Sequence, residues 1–347
     1  MSFDPNKASA ADAGVFGVPT NEETAALILI PVPWEVTTSY GGGTVGGPET
    51  ILDASHQLDL YDLELGHIYE PGIAMLDERI EVRDLNDEMR ARAADLIEAG
   101  ASVLEDEELK ESLERVNDAS AELNAWVKQT TDQWLEAGKL VGIVGGDHSV
   151  PFGAYEAIAE RVGDFGILHI DAHSDTRLAY EGFTWSHASI MRNALDRIPA
   201  VKKLVQVGIR DFCQEEHDYI RAQGERVSVF FDLNLARRKA EGTTWQTLVK
   251  EMVSALPERV WVSLDIDGLD PTYCPHTGTP VPGGLTYHEV LLLLSELGRS
   301  GKRIIGFDLV EVAPHPEGHD EWDGNVGMRL LYKLCGWTLA TNGKLPR

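Results

Sequence analysis

The chain has 347 residues, 57 acidic against 30 basic, which leaves a formal net charge of −27 at neutral pH. With 43% hydrophobic and 25% charged residues, its composition is that of a soluble globular protein, neither disordered nor collagenous. The acid excess argues against a nucleic-acid partner, which needs dense Lys and Arg to release counterions, and against an anionic membrane surface; it favours encounter with a small cation and also suits a salt-rich cytoplasm. In chain order, short apolar runs predict strands at Leu27–Ile30, Leu140–Val144, Gly166–Ile170, Leu204–Val207, Val227–Phe231, Val260–Leu264 and Ile304–Leu309. Most are apolar throughout, as strands covered on both faces are. Helical spacing predicts Pro48–Gln57, Ala121–Ala137, Phe152–Glu160, Trp245–Ala255, Tyr287–Leu297 and Val326–Trp337 between them, with Pro48 suited to a first helical turn and Gly138 to a helix stop. The alternation predicts an α/β fold with a mainly parallel sheet between helix layers.

One stretch breaks this rhythm. Residues 77–119 are densely acidic, interleaved with Arg and Leu, and read as one or two surface helices inserted into a single domain spanning 25–347, after a polar extension at 1–24. Cys213, Cys274 and Cys335 are odd in number and widely spaced, which is no disulfide framework, and no CxxC pair is present. Residues 1–23 lack an export-signal pattern, and the apolar run at 25–32 is too short to cross a bilayer. A cytoplasmic location is the expectation.

Four segments concentrate the chemistry: Gly145-Gly146-Asp147-His148-Ser149, His169-Ile170-Asp171-Ala172-His173-Ser174-Asp175-Thr176, Ser263-Leu264-Asp265-Ile266-Asp267-Gly268-Leu269-Asp270-Pro271, and Phe307-Asp308-Leu309-Val310-Glu311-Val312. Each follows or closes a predicted strand, where open α/β sheets place their sites. Residues two apart in an extended chain point the same way, so Asp171, His173 and Asp175 can converge, as can Asp265 and Asp267. Charged groups at buried strand ends are costly unless paired or metal-bound. With His148 they make two imidazoles and four carboxylates, whose four negative charges match two divalent ions. That donor mixture suits Mn²⁺, with Ni²⁺, Co²⁺ and Fe²⁺ as alternatives.

These segments, in this order, resemble the ureohydrolase family of arginases, agmatinases and related guanidino-compound hydrolases. GGDHS, DAHSD and SLDIDGLDP carry the resemblance, followed by Thr277-Gly278-Thr279-Pro280-Val281-Pro282-Gly283-Gly284-Leu285 as in agmatinase-like members; the segment from Thr38-Ser39-Tyr40 to Gly47-Pro48 is similar to the family's first substrate-side loop. The resemblance implies a three-layer α/β/α fold, a homotrimer or homohexamer, and two metals. One metal would be held by His148, Asp171, Asp175 and Asp265, the other by His173, Asp171, Asp265 and Asp267. It further implies that Asp175 relays a proton, that Glu311 grips the guanidinium, and that His187 is a proton shuttle or substrate contact. His187 stands here in Thr184-Trp185-Ser186-His187-Ala188-Ser189, where many members carry His-Gly.

Agmatine is the leading substrate expected, because residues 177–185 lack the Ser/Asn pattern with which arginases hold an α-carboxylate. Trp185 beside His187 could instead shorten the pocket for free guanidine, a methylated guanidine or a guanidino acid, with cation–π help. His276 and His319 are candidates for the mouth. The reading from a different class is a non-catalytic metal-binding subunit, which loss of a ligand or of Glu311 would mark; all are present.

Overall fold

The computed structural model describes residues 3–7, 13–100, 103, 105–318 and 321–345; His319 lies outside the described residues. The strands are β1 (Leu27–Val32), β2 (Tyr61–Asp62), β3 (Gly66–His67), β4 (Ile73–Met75), β5 (Leu140–Gly145), β6 (Phe165–Ile170), β7 (Val201–Val207), β8 (Val227–Phe230), β9 (Arg259–Asp265) and β10 (Arg303–Val310). The helices are α1 (Gly47–Ser55), α2 (Ile80–Ala99), α3 (Glu107–Glu136), α4 (Phe152–Val162), α5 (Ile190–Arg197), α6 (Gln214–Ala222), α7 (Asp232–Ala240), α8 (Trp245–Ser254), α9 (Tyr287–Arg299) and α10 (Trp322–Thr341). Eight strands form one sheet in the order β4-β1-β5-β10-β9-β6-β7-β8, every pair of it parallel. β2 and β3 make a separate antiparallel hairpin.

Alternation along the strands sorts the core into two layers. Leu27 and Leu29 belong with residues of α1, α8, α9 and α10 on one face, and Ile28 and Ile30 with residues of α2, α3, α4 and α5 on the other. This is the expected three-layer α/β/α arrangement. All seven predicted strands and all six predicted helices are present with ends shifted by a few residues, except that the helix expected from Ala121 starts at Glu107. Asp106 caps it, accepting the backbone N–H groups of Glu108 and Leu109, and it runs without interruption past Ser120.

The acidic stretch is therefore two helices with buried faces. Val82, Asn86, Met89, Ala93 and Leu96 of α2 and Val116, Ala119 and Leu123 of α3 are buried, and the charges occupy the outer sides. Before β1, Val15, Phe16 and Val18 join the core, where the Phe16 ring meets Tyr332 edge-on at 4.8 Å. Among the described residues no helix is long and apolar enough to cross a membrane.

Candidate metal centre and its surroundings

The C-terminal ends of four adjacent central strands, β5, β10, β9 and β6, bring the predicted residues together. Chain direction explains this: parallel strands deliver their ends to one edge, so His148 after β5, Asp171 to Asp175 after β6, Asp265 at the end of β9 with Asp267 beyond it, and Glu311 after β10 meet there. Gly146 permits the approach, because a Cβ at this position would stand 2.0 Å from the carbonyl oxygen of Trp34.

His148 is buried, and its Nδ1 lies 3.0 Å from Asp171 Oδ2, 3.2 Å from Asp175 Oδ2 and 3.2 Å from Asp265 Oδ2. On the far side of the ring, Nε2 is 2.8 Å from Ser263 Oγ, whose hydroxyl donates to Asp308 Oδ1 at 2.8 Å. Tyr155 and Trp261 also donate to the buried Asp308 carboxylate. With the Ser263 proton given to Asp308, Nε2–H donates to Ser263 and Nδ1 faces three carboxylate oxygens. A proton on Nδ1 satisfies one of those oxygens in the metal-free site, whereas a divalent ion takes all the donors at once. The residues present thus fit a metal.

A second group of donors adjoins the first. His173 Nδ1 lies 3.0 Å from Asp267 Oδ2 and 3.5 Å from Asp171 Oδ1, and Asp267 receives the backbone N–H of Ala172 on Oδ1. Asp171 belongs to both groups. His169 is a member that the sequence reading left without a role: its Nε2 is 2.7 Å from Asp171 Oδ2, and Gln206 stands against its Nδ1. Its signal was legible, because His169 shares the period-two face of Asp171, His173 and Asp175. Ser263 and Asp308 likewise stand inside the segments singled out above.

Asp175 and Glu311 both have left-handed backbones, with φ of 54° and 62°, a conformation that non-glycine residues hold only when their surroundings enforce it. The carbonyl of Asp175 accepts the N–H groups of Met191 and Arg192 at the start of α5. Glu311 donates its N–H to Gly146 and accepts Thr277 Oγ1 on its carbonyl. Its Oε1 accepts the backbone N–H of His148 at 2.8 Å, while Oε2 is buried with no partner. Gly41 and Gly278 close over this side, the N–H of Gly41 donating to the Gly278 carbonyl at 3.0 Å.

His187 is near enough to His173 and His148 to feel their charges and is held by Thr37. The two acidic helices grip the loops that carry this pair: Asn86 Oδ1 accepts the N–H of Glu35, Arg90 donates to the carbonyl of Thr38 at 2.6 Å, and Asn117 Oδ1 accepts the N–H of Thr184 at 2.8 Å. Trp185 is not brought into the cluster; its ring packs on Phe152 at 4.8 Å with the Arg197 guanidinium 4.7 Å over it. His276 is fastened to Asp323, 2.8 Å from Nδ1 to Oδ2.

Electrostatics follow from the crowding. Burial, then the Asp267 and Asp171 charges, pushes Asp265 well above the usual carboxylate range; burial and Asp171 hold Asp175 up at about 6; burial holds Asp147 at about 6. Burial also raises Glu311, with Asp147 and Asp267 adding to it. Burial opposes charge on His148 and His173, yet their carboxylate neighbours raise both well above the ordinary imidazole value. Burial and the nearby His173 and His148 push His187 the other way, down to about 3.

Groups whose folded values are raised make the native state bind more protons than the unfolded chain, so stability falls as pH rises through roughly 4 to 6 for the carboxylates, whose unfolded value is about 3.9 for Asp. For the two raised histidines, stability is fully present below about 6.5 and is lost as pH rises from there through their raised folded values. His187 acts oppositely over this interval, and at lower pH so does Asp171, whose burial is outweighed by His169, His148 and His173, which hold it well below the usual carboxylate range. The Tm of metal-stripped protein is therefore expected to rise as pH is lowered from about 7 to about 5, and this trend is expected to reverse with saturating divalent ion, because ligands must be deprotonated to bind it. A metal-free Tm that falls over that interval refutes the assignment of repelling buried carboxylates.

The chain is similar to known proteins over nearly its whole length. The family model described as "Arginase family" matches residues 25–336. The chain is 34% identical to N(1)-aminopropylagmatine ureohydrolase of Thermus thermophilus over 94% of this chain and 95% of that protein. It is 30% identical to agmatinase of Bacillus subtilis over 90% and 91%. Among solved structures it is similar to the agmatine ureohydrolase of Thermoplasma volcanium, with a TM-score of 0.70 and 23% identity over 98% of this chain and 97% of that one.

Proposed function

The chain belongs to the arginase family, and from that membership and the converging donors around His148 Nδ1 we propose that it is an agmatine-hydrolysing enzyme with two divalent metals. The reaction class is that of an amidinohydrolase: water adds to a guanidino carbon, the C–N bond to the amine breaks, and urea and the amine leave. We assign His148, Asp171, Asp175 and Asp265 to one ion and His173, Asp171, Asp265 and Asp267 to the other, with Mn²⁺ the ion best suited to mixed carboxylate and imidazole donors and Ni²⁺ the alternative. The pair of ions, when bound, supplies Lewis-acid activation of water at neutral pH.

The chain's own residues do the rest. Glu311 Oε2, buried and unpartnered, accepts guanidinium N–H and orients the carbon by a charge-assisted bond. Asp175 takes the proton that the attacking water releases and returns it to the departing amine nitrogen. His187, on the substrate side, is a proton shuttle or a direct contact. Trp185, packed between Phe152 and Arg197, serves specificity by shaping the loop before His187.

A second reading takes the longer cation N(1)-aminopropylagmatine as substrate, favoured by the 34% identity to the Thermus enzyme of that name. The acid excess suits either polyamine-like cation. A homotrimer or homohexamer in the cytoplasm completes the proposal; the compartment is supported by three cysteines that are all unpaired. Urea release is to be measured from agmatine, N(1)-aminopropylagmatine, arginine, free guanidine and guanidinobutyrate with metal-stripped protein reloaded with Mn²⁺ or Ni²⁺. The highest kcat/KM is expected for agmatine. A preference for the aminopropyl compound selects the second reading, and a preference for guanidine makes Trp185 a pocket wall.

A further inference from the structure

Two hydroxyls converge on one ring nitrogen beside the metal centre. Thr37 is fully buried in the loop after β1. Its Oγ1 accepts the backbone N–H of His187 at 3.3 Å and lies 3.2 Å from His187 Nδ1. Ser186, also buried, repeats the pattern: its Oγ accepts the N–H of Ala188 at 3.2 Å and lies 3.4 Å from the same Nδ1. Each hydroxyl has one proton to place, and among the described residues neither has another acceptor. A proton on Nδ1 would strand both hydroxyl protons in the interior, at the cost of two unmade buried hydrogen bonds. A lone pair on Nδ1 accepts the nearer Thr37 hydroxyl and takes Ser186 as the weaker arm of a bifurcated bond.

We infer that Thr37 is a positioning residue: with Ser186 it claims Nδ1 of His187 and keeps the imidazole neutral with its single proton on Nε2, so that His187 meets the substrate as a hydrogen-bond donor. This decides between the two roles left open above and rests on the reading that His187 faces the substrate. A neutral imidazole with Nε2–H has no proton to give up at ordinary pH. It donates instead to the lone pair that develops on the amine nitrogen as the C–N bond loosens, while the proton that leaves with the amine comes from water by way of Asp175. The helices gripping Thr38 and Thr184 through Arg90 and Asn117 hold the two loops in register, which gives the acidic segment a function in the site.

The test uses the full chain carrying diamagnetic zinc, with ¹⁵N-labelled histidine, and reads the His187 imidazole by long-range ¹H–¹⁵N correlation, assigned by its disappearance in His187→Asn. The expected spectrum has the proton on Nε2 and an unprotonated Nδ1 in the native protein and in Thr37→Ser. Thr37→Val is expected to give a mixture of tautomers and a kcat about tenfold lower, with KM changed less than about twofold, and Thr37→Ser to restore kcat. Native protein with its proton on Nδ1 overturns the inference without recourse to any variant, as does Thr37→Val with an unchanged tautomer and unchanged kcat. If His187→Asn releases urea at the native rate, the reading of His187 as substrate-facing falls, and the spectrum still decides what Thr37 does to the ring.

Discussion

Asp265→Asn is expected to abolish urea release and metal loading while making the metal-free protein more stable. The two effects have one cause. In the metal-free site the Asp265 carboxyl is buried beside Asp267 and Asp171, which together hold it well above its ordinary range; an amide removes that repulsion. The amide oxygen can still accept the backbone N–H of Asp267, as Oδ1 does at 2.8 Å, so the turn after β9 is kept. The other arm, 3.2 Å from His148 Nδ1, changes from an anionic acceptor to a neutral donor and cannot complete either ion's shell. Losing even a hydrogen-bond partner of a metal ligand costs roughly 10–100-fold in affinity or activity, so a ligand proposed to bridge both ions is expected to cost roughly 10³-fold or more. Metal content by elemental analysis is expected to drop below one ion per chain. The Tm of stripped variant is expected to exceed that of stripped native protein, and added Mn²⁺ is expected to raise it less. Full metal content with native activity would refute the ligand assignment.

What the sequence revealed, and what it concealed, divides along the range of the interactions. The carboxylates and histidines at strand ends were legible because their convergence is local: His169, Asp171, His173 and Asp175 share one face at period two, and a charged residue after a wholly apolar strand has few explanations. The strands were legible for the same reason. β4, three residues long, is too short for a pattern to form, and α7 buries only Leu235, so it has no apolar stripe to detect. The start of α3 was hidden by its polarity, since the apolar face of Leu109, Leu113 and Val116 is diluted by Lys110, Glu111, Ser112, Glu114 and Arg115 between them. The contacts that place His187 could not be read locally. Thr37 is 150 residues from it in sequence, Asn86 is 51 from Glu35, and Asn117 is 67 from Thr184; no spacing rule connects them until the loops are folded together.

Glu311→Gln tests the opposite half of the site, where the metals should be indifferent and the substrate should not. Gln keeps the acceptor that receives the His148 N–H on Oε1, so the segment carrying the first ligand stays in place and metal content is expected to remain native. The change falls on Oε2, the buried oxygen without a partner. In Glu311 it awaits a guanidinium N–H; in the variant an amide N–H points at another donor, losing a charge-assisted bond and adding a donor–donor conflict. The expected result is a fall of about 10²–10³ in kcat/KM for agmatine, the equivalent of ~3–4 kcal/mol at 1.4 kcal/mol per tenfold. Free of substrate, the variant is expected to be no less stable than the native protein, because the carboxyl it replaces is pushed well up by burial, Asp147 and Asp267 and is held on a left-handed backbone, the pattern of a residue kept for function at the expense of stability. Glu311→Ala separates the two oxygens: it also strands the His148 N–H, so metal content is expected to fall in Ala but not in Gln. Equal metal loss in both variants would make Glu311 a brace for His148, and a native rate in Gln would remove it from substrate binding.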